Sequence, residues 1–304
     1  MEAPVLTQYE YLVIAGPTAS GKSALAMELA QRFRGEIINC DSVQLYRGFN
    51  IGSAKPTAAE QALIPHHLLD VVSADENYDA RCFAEDTEAR IKKIRERQHL
   101  PIVVGGTGLY LRALWRENWH DLPKSESLRQ ELESWSNEAL HKRLEELDPQ
   151  RAAQLHRNDR YRLQRAVEIV MLTGQPLSAQ TPQSDERKKA FAIRVLCPRP
   201  LLQERSRQRI DQMLKAGLVD EVRQLLAAGV DPRCKPMQSI GYAQVVEFLE
   251  GRISEADLPE HIQIATRQYA KRQETWFNKV QFEATWASGS PIEPLLQSLR
   301  DAGF

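Results

Sequence analysis

Gly16-Pro17-Thr18-Ala19-Ser20-Gly21-Lys22-Ser23 has the spacing G-x-x-x-x-G-K-[ST], in which each residue type has a use toward phosphate. The glycines let the backbone curl so that its N–H groups point inward at phosphate oxygens. Lys22 adds a point charge, and the Ser23 hydroxyl can hold Mg²⁺. The run Tyr11-Leu12-Val13-Ile14-Ala15 just before it is a buried strand in pattern. Leu25, Leu29 and Phe33 just after it are spaced to line one helical face. A strand, a glycine loop and a helix N-terminus in that order make a site for a ligand with two or more phosphates. The loop does not by itself say whether that ligand is a nucleotide.

Other residues with chemical capacity recur at the ends of apolar runs. Asp41-Ser42-Val43-Gln44-Leu45-Tyr46 follows the strand pattern Gly35-Glu36-Ile37-Ile38-Asn39-Cys40. Asp41 could hold Mg²⁺ as a Walker B acid does, act as a general base, or cap a turn. Pro101-Ile102-Val103-Val104 stops at Gly105-Gly106-Thr107-Gly108, with no carboxylate there. That weakens an NTPase reading, because hydrolysis needs a second acid for metal and water. The glycines would admit close approach of a ligand, and the Thr107 hydroxyl would donate to a phosphate oxygen. Arg205 and Arg209 lie four apart on a helical pattern, hence on one face, where two guanidinium forks suit a pyrophosphate. His66 and His67 are adjacent, so their side chains diverge and a shared metal is not expected. Thr266–Phe277 interleaves Arg267, Lys271 and Arg272 with Tyr269, Trp276 and Phe277, a mixture found on RNA-facing helices and also on packed ones.

The elements that must position these groups follow from periodicity. The first third alternates strands with helices (about 23–33 and 80–98), the signature of a parallel α/β sheet. In such sheets ligands sit beyond the carboxyl ends of the strands, where the phosphate loop, Asp41 and the Gly105–Gly108 turn all fall. From about 116 to 189 the pattern changes to short capped helices: Ser136 precedes one, Asp148-Pro149 ends it, and Gly174 with Pro176 stops another. Residues 181–189 are polar and are expected to form a mobile loop. Phe191–Cys197 returns to strand, and 201–283 is helical. The expected architecture is therefore a P-loop α/β core over 1–115 and 190–304, with a parallel sheet flanked by helices and a helical insertion at 116–189.

The 304-residue chain is 42% hydrophobic and 27% charged, with a net charge of −1. That places it among soluble globular proteins, with no apolar run long enough to span a bilayer and no signal-peptide core. Cys40, Cys82, Cys197 and Cys234 are scattered without a C-x-x-C pair, so neither a disulfide framework nor a zinc site is indicated and a cytoplasmic location is expected. The near-neutral charge does not exclude nucleic acid, because the charges are segregated. Arg157, Arg160, Arg162 and Arg165 form one basic cluster, and Arg205, Arg207 and Arg209 another.

Taken in order, Gly16–Ser23, Asp41–Tyr46, Gly52-Ser53-Ala54-Lys55-Pro56, Pro65–Asp70, Gly105–Tyr110, Arg160–Glu168, Ile240-Gly241-Tyr242 and Thr266–Phe277 resemble the tRNA dimethylallyltransferase (tRNA isopentenyltransferase) family. The resemblance spans about 11–280, with Ser53 where many members have Thr, and the absence of a C-terminal Cys/His zinc finger matches the bacterial form. It implies that Gly16, Pro17, Thr18, Ala19, Ser20, Gly21, Lys22 and Ser23 hold the diphosphate of dimethylallyl diphosphate, with Mg²⁺ on Ser23. The prenyl group would go to N6 of adenosine 37 in tRNA. Asp41 would be the general base, with Thr107 and Arg209 stabilising the leaving diphosphate and Arg205 a second candidate. Asp41, Ser42, Val43 and Gln44 would meet the adenosine, and Thr107 would also contact tRNA. Arg129, Gln164, Arg165, Ala166, Val167 and Glu168 would contact tRNA, as would Lys271, Arg272, Gln273, Glu274, Thr275, Trp276, Phe277 and Asn278. Arg160 and Arg162 are expected on phosphates, the partners are tRNA and dimethylallyl diphosphate, and a monomer is expected. A P-loop kinase acting on a small molecule, an RNA-binding protein without catalysis, and an adenylate isopentenyltransferase are the alternatives. The large basic insertion favours tRNA over free adenylate.

Overall fold

The computed structural model describes residues 9–115, 122–180 and 189–304. Its core strands are β1 (Tyr11–Ala15), β2 (Gly35–Cys40), β3 (His66–His67), β4 (Leu100–Gly105), β5 (Ala190–Leu196) and β6 (Ala284–Ala287). All pair in parallel, in the order β3-β2-β4-β1-β5-β6. Because β4 lies between β1 and β2, the turns after three adjacent strands share one edge. Parallel strands need crossover connections, and helices supply them. These are α1 (Lys22–Arg32), α2 (Ala58–Leu63), α3 (Ala80–Glu96) and α4 (Gly108–Trp115). The inserted unit holds α5 (Glu126–Glu133), α6 (Asn137–Leu147), α7 (Pro149–Gln154), α8 (Arg160–Thr173) and α9 (Leu177–Gln180). The chain then runs through α10 (Arg199–Lys215), α11 (Leu218–Ala227), α12 (Tyr242–Leu249), α13 (Leu258–Phe277) and α14 (Glu293–Asp301).

Two compact units result, Met1–Trp115 with Arg187–Phe304, and Arg116–Glu186. In the first, Leu12, Ile14, Ile102 and Ile193 meet Leu25 and Leu29 of α1 in one core cluster, which Leu295 and Leu299 of α14 complete. Sequence periodicity does not foresee β6 or α14. Both are short, and their apolar residues acquire a face only against β5 and this cluster. In the second unit, Leu132, Leu140, Leu144, Leu163 and Val167 form a separate core, with Trp135 packed against it. Of the loop expected at 181–189, residues 181–188 lie outside the described residues.

A buried carboxylate marks the end of the sheet away from the three turns. Glu36, second in β2 and 3% exposed, accepts from Arg97 Nε and Nη2, from His67 Nε2 at 2.6 Å and from His99 Nδ1 at 2.7 Å. Burial alone would raise its pKa, but these bonds outweigh burial and hold it at about 2. Its contribution to stability is therefore complete above the ordinary carboxylate range and is lost as pH falls toward 2. Glu36→Gln is expected to lower the urea midpoint, since a neutral amide loses the ion pair with Arg97 and sets N–H donors against a site built from donors, while activity per folded molecule holds. A midpoint unchanged in urea would contradict this.

Candidate active site

The three turns bring the chemical residues together. Gly21 caps α1 at φ 90° with no side-chain bond, and no acidic residue lies in the helix's first turn. An uncapped N-terminus followed by Lys22 and Ser23 is an anion site by construction. Lys22 Nζ donates to the Pro17 carbonyl at 3.3 Å. Burial and the neighbouring Arg209 push the Lys22 pKa down to about 8, against the opposing pull of Asp41. Arg209 on α10 points its guanidinium at Thr18 Oγ1 and the Ser53 carbonyl, both at 3.5 Å. Burial lowers its pKa and Asp41 raises it. One carboxylate thus faces two cations that are costly to keep desolvated, an arrangement an incoming polyanion relieves. Arg205, one helical turn earlier, lies on the Gly21 side of the loop, where its Nη1 donates to Ser288 Oγ at 2.7 Å. Both arginines therefore flank the phosphate loop, from different ends.

Asp41 is half-buried. Its Oδ1 accepts from the backbone N–H of Val43 (2.8 Å) and Gln44 (3.3 Å), so the turn-capping reading holds for that oxygen. The cap aims the carboxylate rather than consuming it, because a carboxylate carries about four acceptor positions. Gln44 spends both Nε2 hydrogens on the carbonyls of Ser53 and Ala54, each at 3.0 Å. Its Oε1 remains the group able to accept from an exocyclic amine. The Thr107 hydroxyl is buried beside the Tyr269 phenol of α13.

The Gly105–Gly108 turn departs from expectation in what approaches it. A Cβ on Gly105 would overlap the Cys40 carbonyl, one on Gly106 would overlap Gln273 Nε2, and one on Gly108 would meet the Trp276 ring at 2.6 Å. The close approach seen here is made by β2 and by α13.

The IPP transferase family model matches residues 44–280, more than half the chain. The chain belongs to that family. A tRNA dimethylallyltransferase of Geobacter metallireducens is 44% identical over 88% of this chain and 89% of its own. A tRNA dimethylallyltransferase 1 of Trichlorobacter lovleyi is 47% identical over 88% and 90%. Among solved structures, the Staphylococcus epidermidis tRNA delta(2)-isopentenylpyrophosphate transferase superposes with TM-score 0.69 at 36% identity, covering 96% and 97% of the two chains. A eukaryotic dimethylallyltransferase acting on tRNA gives 0.74 at 33% identity, over 88% of this chain and 69% of that one. As an IPP transferase, the chain is a prenyltransferase on a P-loop-like fold.

Several segments that carry the family resemblance prove to be internal scaffolding. Tyr242 donates to Glu221 Oε1 at 2.6 Å, and the Glu221 carboxylate accepts from the N–H groups of Asn50, Ile51 and Gly52. A Cβ at Gly52 would meet the Tyr242 ring at 2.5 Å. The Gly52–Pro56 and Ile240–Tyr242 motifs are therefore joined through Glu221, which sequence reasoning missed. It is one acid on an amphipathic helix, and only the fold reveals its nest of N–H donors. On α13, Gln273 and Phe277 are buried, and Trp276 stacks on Trp115 with centroids 6.2 Å apart. Lys271, Arg272, Thr275 and Asn278 are exposed, and Glu274 is half-buried.

The inserted unit sorts its candidates in the same way. Ala166, Val167 and Glu168 are buried, so their side chains face the unit's own interior. Glu168 accepts from Ser125 N–H, Arg129 Nε and Arg165 Nη1, and Gln164 Nε2 donates to the Arg129 carbonyl. Arg165 also donates to the carbonyls of Leu122 and Pro123. Arg160, expected on phosphate, is occupied: its guanidinium donates to the carbonyls of Leu132, Glu133 and Trp135 and to Asn137 Oδ1. It caps the C-terminus of α5, a cation where the helix dipole favours one. Arg162, 67% exposed in an ion pair with Asp159, keeps its outer face to solvent, and Arg157 is exposed.

Proposed function

We propose that this protein transfers the dimethylallyl group of dimethylallyl diphosphate to N6 of adenosine 37 in tRNA. The observation that carries the reading is the convergence of Asp41 with Lys22 and Arg209 at the strand ends of an IPP transferase. The N6 nitrogen attacks C1 of the dimethylallyl group as the C1–O bond to diphosphate breaks. An exocyclic adenine amine is too weak a base to keep the extra proton, so Asp41 takes it as the C–N bond forms. Lys22, Arg209 and the Thr107 hydroxyl receive the charge that grows on the leaving diphosphate. Gln44 Oε1 accepts the second N6 hydrogen, selecting adenosine. The base must leave its stack to reach the strand ends.

Mg²⁺ fits the donors present. Among the described residues no three His, Cys, Asp or Glu side chains are grouped to hold a metal. The Ser23 hydroxyl, exposed in the first turn of α1, is a hard donor of the kind a hydrated Mg²⁺ takes alongside substrate phosphates, which leaves the second Asp41 oxygen for the proton. Bound there, the ion would neutralise part of the diphosphate charge.

The helical insertion grips the anticodon stem in this reading. The exposed Arg157 and Arg162 are its phosphate contacts, while Arg129 and Arg165 are tied to Glu168; Lys271 and Arg272, exposed on α13 of the other unit, are taken as separate phosphate contacts. Arg162→Ala should weaken binding of every tRNA alike and reduce the log–log salt slope by about 0.7 to 0.9. Arg160→Ala should instead lower the unfolding midpoint and leave the slope unchanged, because its guanidinium caps α5. Fluorescence titration of tRNA at several salt concentrations separates the two. A reduced slope for Arg160→Ala would return it to the phosphates.

No helix among the described residues is long and apolar enough to cross a membrane. A cytoplasmic location and a monomer are part of the proposal, the location in keeping with tRNA as the partner. The deciding experiment incubates it with labelled dimethylallyl diphosphate and either tRNA or AMP. Label in tRNA alone supports the reading. Label in AMP would reassign the chain as an adenylate prenyltransferase, and phosphate transfer from γ-labelled ATP as a kinase.

A further inference from the structure

Gln273 is 6% exposed, in the midst of a segment whose exposed residues are cationic or polar. Its Oε1 accepts from the Thr18 N–H at 2.9 Å, and its Nε2 donates to the Gly106 carbonyl at 2.9 Å. The orientation of the amide is unambiguous, since a backbone N–H can only donate and a carbonyl can only accept. One side chain of α13 thus bolts the phosphate loop to the turn that carries Thr107. The same helix sets Tyr269 beside the Thr107 hydroxyl and the Trp276 ring against Gly108. Gly106 has no room for a Cβ because Gln273 Nε2 occupies that space.

We infer that Gln273 is a positioning residue for the transfer: it sets the distance between the loop that holds the diphosphate and the turn whose Thr107 hydroxyl meets the leaving group, and so the place of the reacting carbon relative to Asp41. The inference rests on the reading above and departs from the family resemblance, which places this residue on tRNA. Nucleophilic attack on C1 needs nitrogen and carbon within about 3–3.5 Å and aligned with the breaking bond. A shift of roughly 1 Å between the two substrates costs on the order of a hundredfold in rate. Glutamine suits the place because it is a donor and an acceptor on one planar group. Glutamate would set an oxygen against the Gly106 carbonyl, and methionine would fill the space with neither bond.

Two variants break the clamp from opposite sides. Gln273→Met keeps volume and removes both bonds, whereas Gly106→Ala leaves Gln273 chemically intact and displaces its amide. Both are expected to lower the single-turnover rate of prenyl transfer by about 10- to 100-fold at saturating substrates. The KM for dimethylallyl diphosphate and the Kd for tRNA should stay within about threefold. Measurements are made well below each variant's unfolding midpoint, followed by circular dichroism, and Gly106→Ala serves alone if Gln273→Met does not fold. A rise in tRNA Kd with an unchanged saturated rate would show that Gln273 touches tRNA and overturn the clamp. Wild-type rates in either folded variant would overturn it too. Wild-type protein that prenylates no tRNA would sink the proposed function instead, so the two failures are distinct.

Discussion

Lys22→Ala should lower the rate of prenyl transfer by about two to three orders of magnitude while leaving tRNA affinity within about threefold. Lys22 stands at the N-terminus of α1, beside a loop suited to hold an anion through backbone N–H groups, and with Arg209 it supplies the positive charge that meets the growing negative charge of the leaving diphosphate. Removing a donor aimed at a developing charge acts on the transition state more than on binding, so the loss should appear in kcat. The pH profile gives a second signature. Burial and Arg209 hold the Lys22 pKa at about 8 in the free protein. The wild-type kcat/KM for dimethylallyl diphosphate should therefore fall as pH rises through about 8, as the ammonium loses its proton. A bound diphosphate restores the proton's hold, so kcat should persist to higher pH. In Lys22→Ala that alkaline limb should vanish. Quench-flow rates with labelled diphosphate and filter binding of tRNA test both halves. A large loss of tRNA binding in a folded variant would end the separate-site picture.

Asp41→Asn should slow the chemical step by about 10²- to 10⁴-fold with both substrates still bound. The substitution is clean because of what the carboxylate does locally. An asparagine Oδ1 can still accept from the N–H groups of Val43 and Gln44. The turn should hold, and only the capacity to take a proton is lost. Loss of the carboxylate also removes the charge that raises the pKa of Lys22 and of Arg209. The alkaline limb of kcat/KM should therefore move below its wild-type position. Near-normal turnover in Asp41→Asn would take Asp41 out of the base role, and an unmoved alkaline limb would separate it electrostatically from Lys22.

Most of the chemistry was legible in the sequence because it sits where local pattern and function coincide. A strand, a glycine loop and a helix start are each short-range features, so β1, the phosphate loop and α1 could be placed from residues 11–33 alone. The same holds for β2 with Asp41 after it, and for β4 with its glycine turn. Family resemblance then supplied the substrate, since a phosphate loop does not distinguish one polyphosphate from another.

What the sequence could not distinguish was which members of a motif meet the substrates and which meet one another. Gln273 and Lys271 stand two positions apart in one basic, aromatic segment. On α13 that spacing turns one side chain into the protein and the other out to solvent. Arg160 and Arg162 differ in the same way: one caps the end of α5 and the other faces water. Glu221 and Tyr242 became partners of Gly52 only when chain segments 169 and more residues apart were brought together. Residue type and spacing determined the reaction's instruments, because those instruments are built from consecutive residues. Tertiary structure decided their aim, because hydrogen bonds between distant segments depend on distances that no local pattern encodes.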